Sequence, residues 1–238
     1  MSLVAELRTV RQLLRGQPSA RDHAARLQAF YAPQADHYDR FRERLLQGRA
    51  ELVDQLAIGP GQHVLELGAG TGRNAEYFAA DMPNLASLTL VDLCPALLAR
   101  ARTRAARWPN CRVIEADATT YRQTHCDRVL LSYALSMMPD WRAVIDNACG
   151  LLKRGGLLGA VDFYVSPATP DPGMVRHGAL ARRWWPWWFA HDGVHLSSEP
   201  LAYLRARLKR VHLHEGMASV PYLPGVRVPY YRFVGRRD

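Results

Sequence analysis

Residues 63–74 read HVLELGAGTGRN, and eighteen positions beyond Asn74 an acidic residue, Asp92, closes a second apolar run, ASLTLVD. His63 to Leu67 has the length and aliphatic character of a buried parallel strand, and Gly68, Gly70 and Gly72 follow where that strand must turn. Glycines tolerate positive φ, and without a Cβ they let main-chain N–H groups approach a ligand. The spacing is G-x-G-x-G rather than the G-x-G-x-x-G of dinucleotide sites, which turns the reading away from a pyrophosphate ligand. Glu66, directly before the glycines, offers an acidic element for a cationic group. Asp92, at the end of the next strand, is placed as a bidentate acceptor for two ribose hydroxyls. The competing reading is a strand-to-helix turn that binds nothing.

ELGAGTG together with Asp92 resembles the first motif of the class I S-adenosylmethionine-dependent methyltransferases, over roughly residues 60–165. The resemblance implies a Rossmann-like α/β fold: a seven-stranded, mostly parallel sheet with helices on both faces. It also implies S-adenosylmethionine as cofactor and S-adenosylhomocysteine as product. The cofactor residues it suggests are Glu66, Gly68, Ala69, Gly70, Thr71, Gly72 and Asn74, then Asp92 and Leu93. Asp117 and Ala118 in VIEADAT and Ser132 after the fourth strand complete the set. Asp117 is placed to accept from the adenine amino group, with a plain capping role as its alternative.

Outside this core, 238 residues suit one sizeable α/β domain with an N-terminal extension. No apolar run is long enough to span a bilayer, and Met1 to Arg15 lacks the apolar centre of a signal peptide, so a cytoplasmic location is expected. Cys94, Cys111, Cys126 and Cys149 form no C-x-x-C pair, and neither disulfides nor a metal site is expected. The net charge of +9 is uneven: residues 173–238 hold eleven Arg and Lys against four Asp and Glu. That excess fits an anionic partner, although genome base composition also favours arginine.

Helical spacing predicts an N-terminal helical cap over residues 1–56, including an Arg-rich stretch at Leu3–Arg15 and a helix from Tyr38 to Leu56. The methyltransferase domain then runs over 57–238. Its strands are expected at 63–67, 86–91, 111–114, 127–132, 156–163, 209–215 and 228–234, the last antiparallel. Helices are expected after the glycines, after Asp92 and over Trp141 to Leu152, the last stopped by Gly155 and Gly156. An insertion, 165–200, contains RRWWPWWFAHDGVH (182–195) with four of the six tryptophans, where Pro186 is expected to break any long helix. Those tryptophans read as a membrane-interface belt, ordinary core, or an aromatic cage for a quaternary ammonium.

Methyl transfer is an in-line displacement that needs positioning more than acid-base groups. An amine acceptor must still shed its proton, which costs on the order of 4 kcal/mol at neutral pH. Candidate catalytic or orienting groups are Tyr31, Tyr38, Tyr133 and His191, with Asp162 and Asp192 as further acceptors. Tyr31 and Tyr38 equally suit a buried stripe of the cap, and His191 with Asp192 a cap of the inserted segment.

The stretches FYAPQADHYDRFRERLLQGR (30–49), HDGVHLS (191–197) and VPYLPGVRVPYYRFVGRR (220–237) look like the bacterial betaine-lipid N-methyltransferases. This resemblance implies three methylations of diacylglyceryl homoserine, a lipid with an amino-acid headgroup. It implies peripheral attachment to the anionic inner face of the membrane, with no nucleic-acid partner and an open oligomeric state. A soluble small-molecule or phospholipid-headgroup methyltransferase and a non-catalytic lipid-binding scaffold are the alternatives. A nucleic-acid amino-methyltransferase is disfavoured, because SYALSMMPDW stands where an Asn/Asp-Pro-Pro-Tyr motif would be needed.

Overall fold

A computed structural model describes residues 25, 28, 29, 43–221, 223 and 225–238. The Leu3–Arg15 stretch, Tyr31 and Tyr38 lie outside the described residues. Among the described residues seven strands form one sheet: β1 (His63–Leu67), β2 (Ser87–Asp92), β3 (Cys111–Glu115), β4 (Cys126–Ser132), β5 (Leu152–Phe163), β6 (Lys209–Ser219) and β7 (Arg227–Arg236). Their order is β3-β2-β1-β4-β5-β7-β6. All pairs are parallel except those of β7, which runs antiparallel to both β5 and β6. The order reverses between β1 and β4, so a crevice opens at their carboxyl ends, where ligands of open α/β sheets bind.

Among the described residues from Arg49 on, five α-helices flank the sheet: α1 (Arg49–Leu56), α2 (Pro95–Ala105), α3 (Trp141–Leu151), α4 (Ala179–Ala190) and α5 (Glu199–Arg207). The two faces follow from strand alternation. Leu65 and Leu67 of β1 join Val129 and Leu131 in a core with Ile145 of α3 and Leu204 of α5. Val64 turns the other way, into a cluster with Leu88, Leu90, Leu98 and Ala101. Each fully buried leucine stabilises the fold by roughly 1.5–3 kcal/mol over an exposed one. Glu66 shares the Val64 side of the strand and is the charged exception on it, with 1% of its surface exposed.

Four local expectations are corrected. The segment after the glycines is a six-residue 3-10 helix, Arg73–Phe78, followed by a second short one at Met82–Asn84 containing Pro83. Pro83 interrupts the link to β2, and neither short helix extends into a full α-helix. The helix expected over Tyr38–Leu56 is interrupted at Leu46–Gly48 before α1 begins. Gly48 sits at φ 84°, and a Cβ there would lie 2.7 Å from the Tyr230 ring, so the break needs glycine.

The glycine stop at Gly155 and Gly156 is not a helix cap. The chain already pairs as β5 from Leu152, and the register slips between Cys126↔Leu152 and Arg128↔Leu157 to absorb the extra residues. Pro186, finally, lies inside α4 without ending it. Burial of Trp185 and Phe189 on either side of the proline offsets the backbone hydrogen bond it cannot donate.

Candidate functional site

The glycine turn is held by strand β2. Gly68 and Ala69 donate their N–H groups to the Val91 carbonyl at 2.9 and 3.0 Å. Gly68, Gly70 and Gly72 have φ of 73°, 54° and 68°. A Cβ on Gly68 would lie 2.7 Å from the Ala134 Cβ, and one on Gly72 would lie 2.8 Å from a Leu90 methyl. The motif therefore needs glycine for both conformation and space.

Within this turn Glu66 and Asn74 face each other. Asn74 Nδ2 donates to Glu66 Oε1 at 2.6 Å. Glu66 Oε2 and Asn74 Oδ1 are buried with no hydrogen-bond partner among the described residues. Burial pushes the Glu66 carboxyl up to about 8, against the Asn74 hydrogen bond and the Arg49 charge, which act in the other direction. Two buried oxygens lacking donors are costly unless a ligand supplies N–H groups. An ammonium carries three such donors, so the pair fits the amino-acid end of S-adenosylmethionine.

Asp92 anchors the same site from β2. Its Oδ2 accepts from Gly70 N and its Oδ1 from Cys94 N, each at 2.8 Å. An ionised carboxylate has about four acceptor positions, so a ribose can still be received. Burial raises the Asp92 carboxyl above its ordinary range, opposed by those backbone bonds. Gln28 of the N-terminal segment lies over the start of α2, its Oε1 accepting from Ala96 N at 3.0 Å. Leu93 is half-buried beside Asp92. Thr71 is buried, with its carbonyl held by the Arg104 guanidinium.

Asp117 is exposed and turns back on its own segment, accepting from Thr119 N and Oγ1, each at 2.8 Å. That is a turn within its own segment and not the helix cap named as its alternative, and a carboxylate so occupied keeps further acceptor positions. Ala118 is buried. Ser132 ends β4 with its Oγ buried and unpartnered among the described residues.

Tyr133 follows at φ 52°, a left-handed conformation uncommon for a bulky residue. Its hydroxyl donates to the Gln47 carbonyl at 2.6 Å, and its ring lies 4.7 Å from Phe163. Burial lifts its phenol far above the ordinary range, so it serves as a donor and not as a base. Asp162 is buried too, and it clamps the segment after β4: Ser136 N, Ser136 Oγ and Phe163 N donate to it at 2.9, 2.6 and 2.8 Å. It is occupied there and not presented as an open acceptor. His191 lies at the end of α4 with its ring 5.7 Å from Trp187, on the exposed side of that helix. Asp192 follows it, its N–H donating to the Phe189 carbonyl.

The charged rim of the glycine turn escaped the sequence reading. Glu43 pairs with Arg73 at 2.8 Å, and Glu76 joins Arg73, Arg104 and Arg107. These residues come from three separate stretches, so no spacing announces them. The four thiols are all raised by burial, Cys126 to about 12, and none is an accessible thiolate. Among the described residues no group of three or more His, Cys, Asp or Glu is arranged to hold a metal.

Residues 64–156 match a methyltransferase domain family. The trans-aconitate 2-methyltransferase of Enterobacter sp. (strain 638) is 34% identical over 131 residues, covering 55% of this chain and 50% of that one. The chain spans about half the length of the curated relatives it matches. Among solved structures, the N-methyltransferase NodS from Bradyrhizobium japonicum WM9 with S-adenosyl-L-homocysteine aligns with a TM-score of 0.61 at 23% identity, over 89% of this chain and 96% of that one. The [4+2]-cyclase SpnF aligns at 0.67 with 16% identity, over 94% and 99%. Likeness at these identities establishes the fold, and the cyclase shows that the fold alone does not name a reaction. Family match, glycine cradle and the orphaned Glu66–Asn74 pair nonetheless agree: residues 64–156 match a methyltransferase domain, and their crevice fits S-adenosylmethionine.

Proposed function

We propose that this chain holds S-adenosylmethionine in the glycine crevice and transfers its methyl group to the amine of a lipid headgroup, diacylglyceryl homoserine being the acceptor that the flanking stretches suggest. The observation that carries the transferase reading is the Glu66–Asn74 pair, with one buried unpartnered oxygen on each side chain at the glycine turn. The sulfonium, when bound, supplies an electrophilic methyl carbon. Glu66 and Asn74 would receive the ammonium, and Asp92 the ribose hydroxyls. Ser132 and Tyr133, at the carboxyl end of β4, line the side from which an acceptor approaches.

In the transfer, the acceptor lone pair forms the new N–C bond as the S–C bond breaks and its electrons pass to sulfur. The proton of the product ammonium leaves to solvent before any further round. Such chemistry asks the protein mainly for alignment. The hydrogen-bond commitments of Tyr133 and Asp162 suit that demand, because they fix the acceptor wall and offer no strong base.

A second reading is favoured by the 34% identity to a trans-aconitate 2-methyltransferase: a soluble small-molecule acceptor. One experiment separates these. The protein is incubated with methyl-labelled S-adenosylmethionine and either a bacterial lipid extract or the aqueous metabolite fraction, and the labelled product is identified by mass. Label in a lipid with an amino-acid headgroup supports the first reading. Label only in the aqueous fraction supports the second, and failure of calorimetric titration to detect S-adenosylmethionine or S-adenosylhomocysteine defeats both in favour of a non-catalytic scaffold.

A further inference from the structure

Helix α4 divides its aromatic residues between two sides. Trp185 and Phe189 are buried with ring centroids 5.9 Å apart. Phe189 lies 5.1 Å from Phe163, which lies 4.7 Å from Tyr133, so the inner side of the helix reaches the acceptor wall through stacked rings. On the outer side, Leu180, Trp184, Trp187 and Trp188 are 81, 45, 58 and 37% exposed. Their spacing places them along one stripe. Trp184 lies 5.3 Å from Trp187 and 5.6 Å from Trp188, which makes the stripe a continuous apolar patch. Contiguous exposed apolar surface marks an interaction site.

The exposed charge within the helix and just before it is positive. Arg183 is exposed within the helix, Arg176 is exposed just before it, and Ala179–Ala190 contains no acidic residue. Arg182 is half-buried, with one guanidinium nitrogen that has no hydrogen-bond partner among the described residues.

We propose that this stripe docks on the surface of a lipid bilayer with anionic headgroups, its tryptophan rings at headgroup depth and Arg176 and Arg183 against the phosphates. A bilayer fits better than a second copy of the chain. A two-fold contact would set Arg183 against its own symmetry mate with no acid on the helix to pair it. Tryptophan, a large apolar ring with one N–H, suits a boundary that is apolar on one side and wet on the other. No helix of the described residues is long and apolar enough to cross a membrane, and a stripe along one helix face suits attachment in the interface plane. The docking goes beyond the choice of acceptor and holds whichever acceptor the crevice takes.

The test uses the full chain with two vesicle types, phosphatidylcholine alone and phosphatidylcholine mixed with phosphatidylglycerol, and reads binding by co-sedimentation. The mixed vesicles should bind, less so as salt rises. The triple variant W184S/W187S/W188S should weaken that binding by at least about tenfold, since three interfacial rings are lost. R176A and R183A should each weaken it about fivefold. Trp185 stays in place, so thermal unfolding and calorimetric affinity for S-adenosylmethionine should match the parent. Equal vesicle binding by parent and triple variant overturns the proposal. So does a concentration-dependent dimer in analytical ultracentrifugation that the triple variant abolishes while vesicle binding is absent. Either result leaves cofactor binding measurable, so failure of the docking is distinct from failure of the methyl-transfer reading.

Discussion

Asn74 Nδ2 lies 2.6 Å from Glu66 Oε1, and the second oxygen of each side chain is buried and unpartnered among the described residues. The pair is incomplete as it stands, and completion by a cation should be visible as a proton. With its carboxyl at about 8, Glu66 is largely protonated at pH 7, and an incoming ammonium favours the ionised form. Binding of S-adenosylmethionine at pH 7 should therefore release close to one proton, and E66Q should abolish the release and weaken binding by about 10- to 100-fold. Calorimetry in buffers of different ionisation enthalpy measures both quantities.

The same carboxyl sets a stability trend in the ligand-free protein. Its pKa is raised on folding from 4.5 to about 8, so its stabilising contribution is fully present below about 4.5 and is lost as pH rises through 8. The full span corresponds to roughly 5 kcal/mol. Urea unfolding of the parent should show this decline, and E66Q should flatten it. An identical slope in both proteins would remove Glu66 as the source.

Substituting Gly68 by alanine should be among the most damaging single changes in the glycine turn. The left-handed φ of 73° costs an alanine roughly 1–2 kcal/mol, and the new Cβ meets Ala134 at 2.7 Å. A combined loss of about 2–4 kcal/mol in unfolding free energy is expected. G61A is the control: Gly61 has φ 72° but nothing within 4 Å, so it should lose only the conformational part.

Removing the clamp on the segment after β4 should cost more than a single hydrogen bond. In D162N the amide nitrogen replaces an acceptor, so either Ser136 N or Phe163 N is left buried without its partner, while the Ser136 hydroxyl can turn to accept. A destabilisation of about 1–3 kcal/mol follows. The parent carboxyl is raised by burial to about 6 from 3.8. Its contribution is present below pH 3.8 and is lost as pH rises through 6, so the gap between variant and parent should be widest in acid. Thermal melts from pH 4 to 8 read this directly.

Tyr133→Phe separates packing from chemistry. The ring keeps its contact with Phe163 while the hydroxyl loses Gln47 O, which should lower stability by about 0.5–1.5 kcal/mol. Because the phenol is a committed donor with a raised pKa, kcat should stay within about tenfold of the parent. A loss of about 1000-fold in steady-state assays would instead make the hydroxyl a catalytic group.

The sheet was legible because its signals are local. Aliphatic runs such as Val64–Leu67 and Leu88–Val91 carry their own strand period, and G-x-G-x-G with Asp92 locates the turn between them. What the sequence hid depends on residues far apart along the chain. That Asp162 spends itself on Ser136, 26 positions earlier, cannot be read from either neighbourhood. Pro186 misled for a related reason: proline weakens a helix locally, but burial of Trp185 and Phe189 decides the outcome from outside. The tryptophan cluster was legible as unusual, whereas the division of Trp185 inward from Trp184, Trp187 and Trp188 outward needed the helix phase.

The Asp92 carboxylate reaches two turns at once, one oxygen to Gly70 N and the other to Cys94 N. Two amides 24 positions apart thus report on a single side chain. Their hydrogen-exchange rates should slow in concert when a ribose steadies that carboxylate and quicken in concert when it is removed. The crevice carries its own pair of spectroscopic gauges, readable by NMR without a label on any ligand.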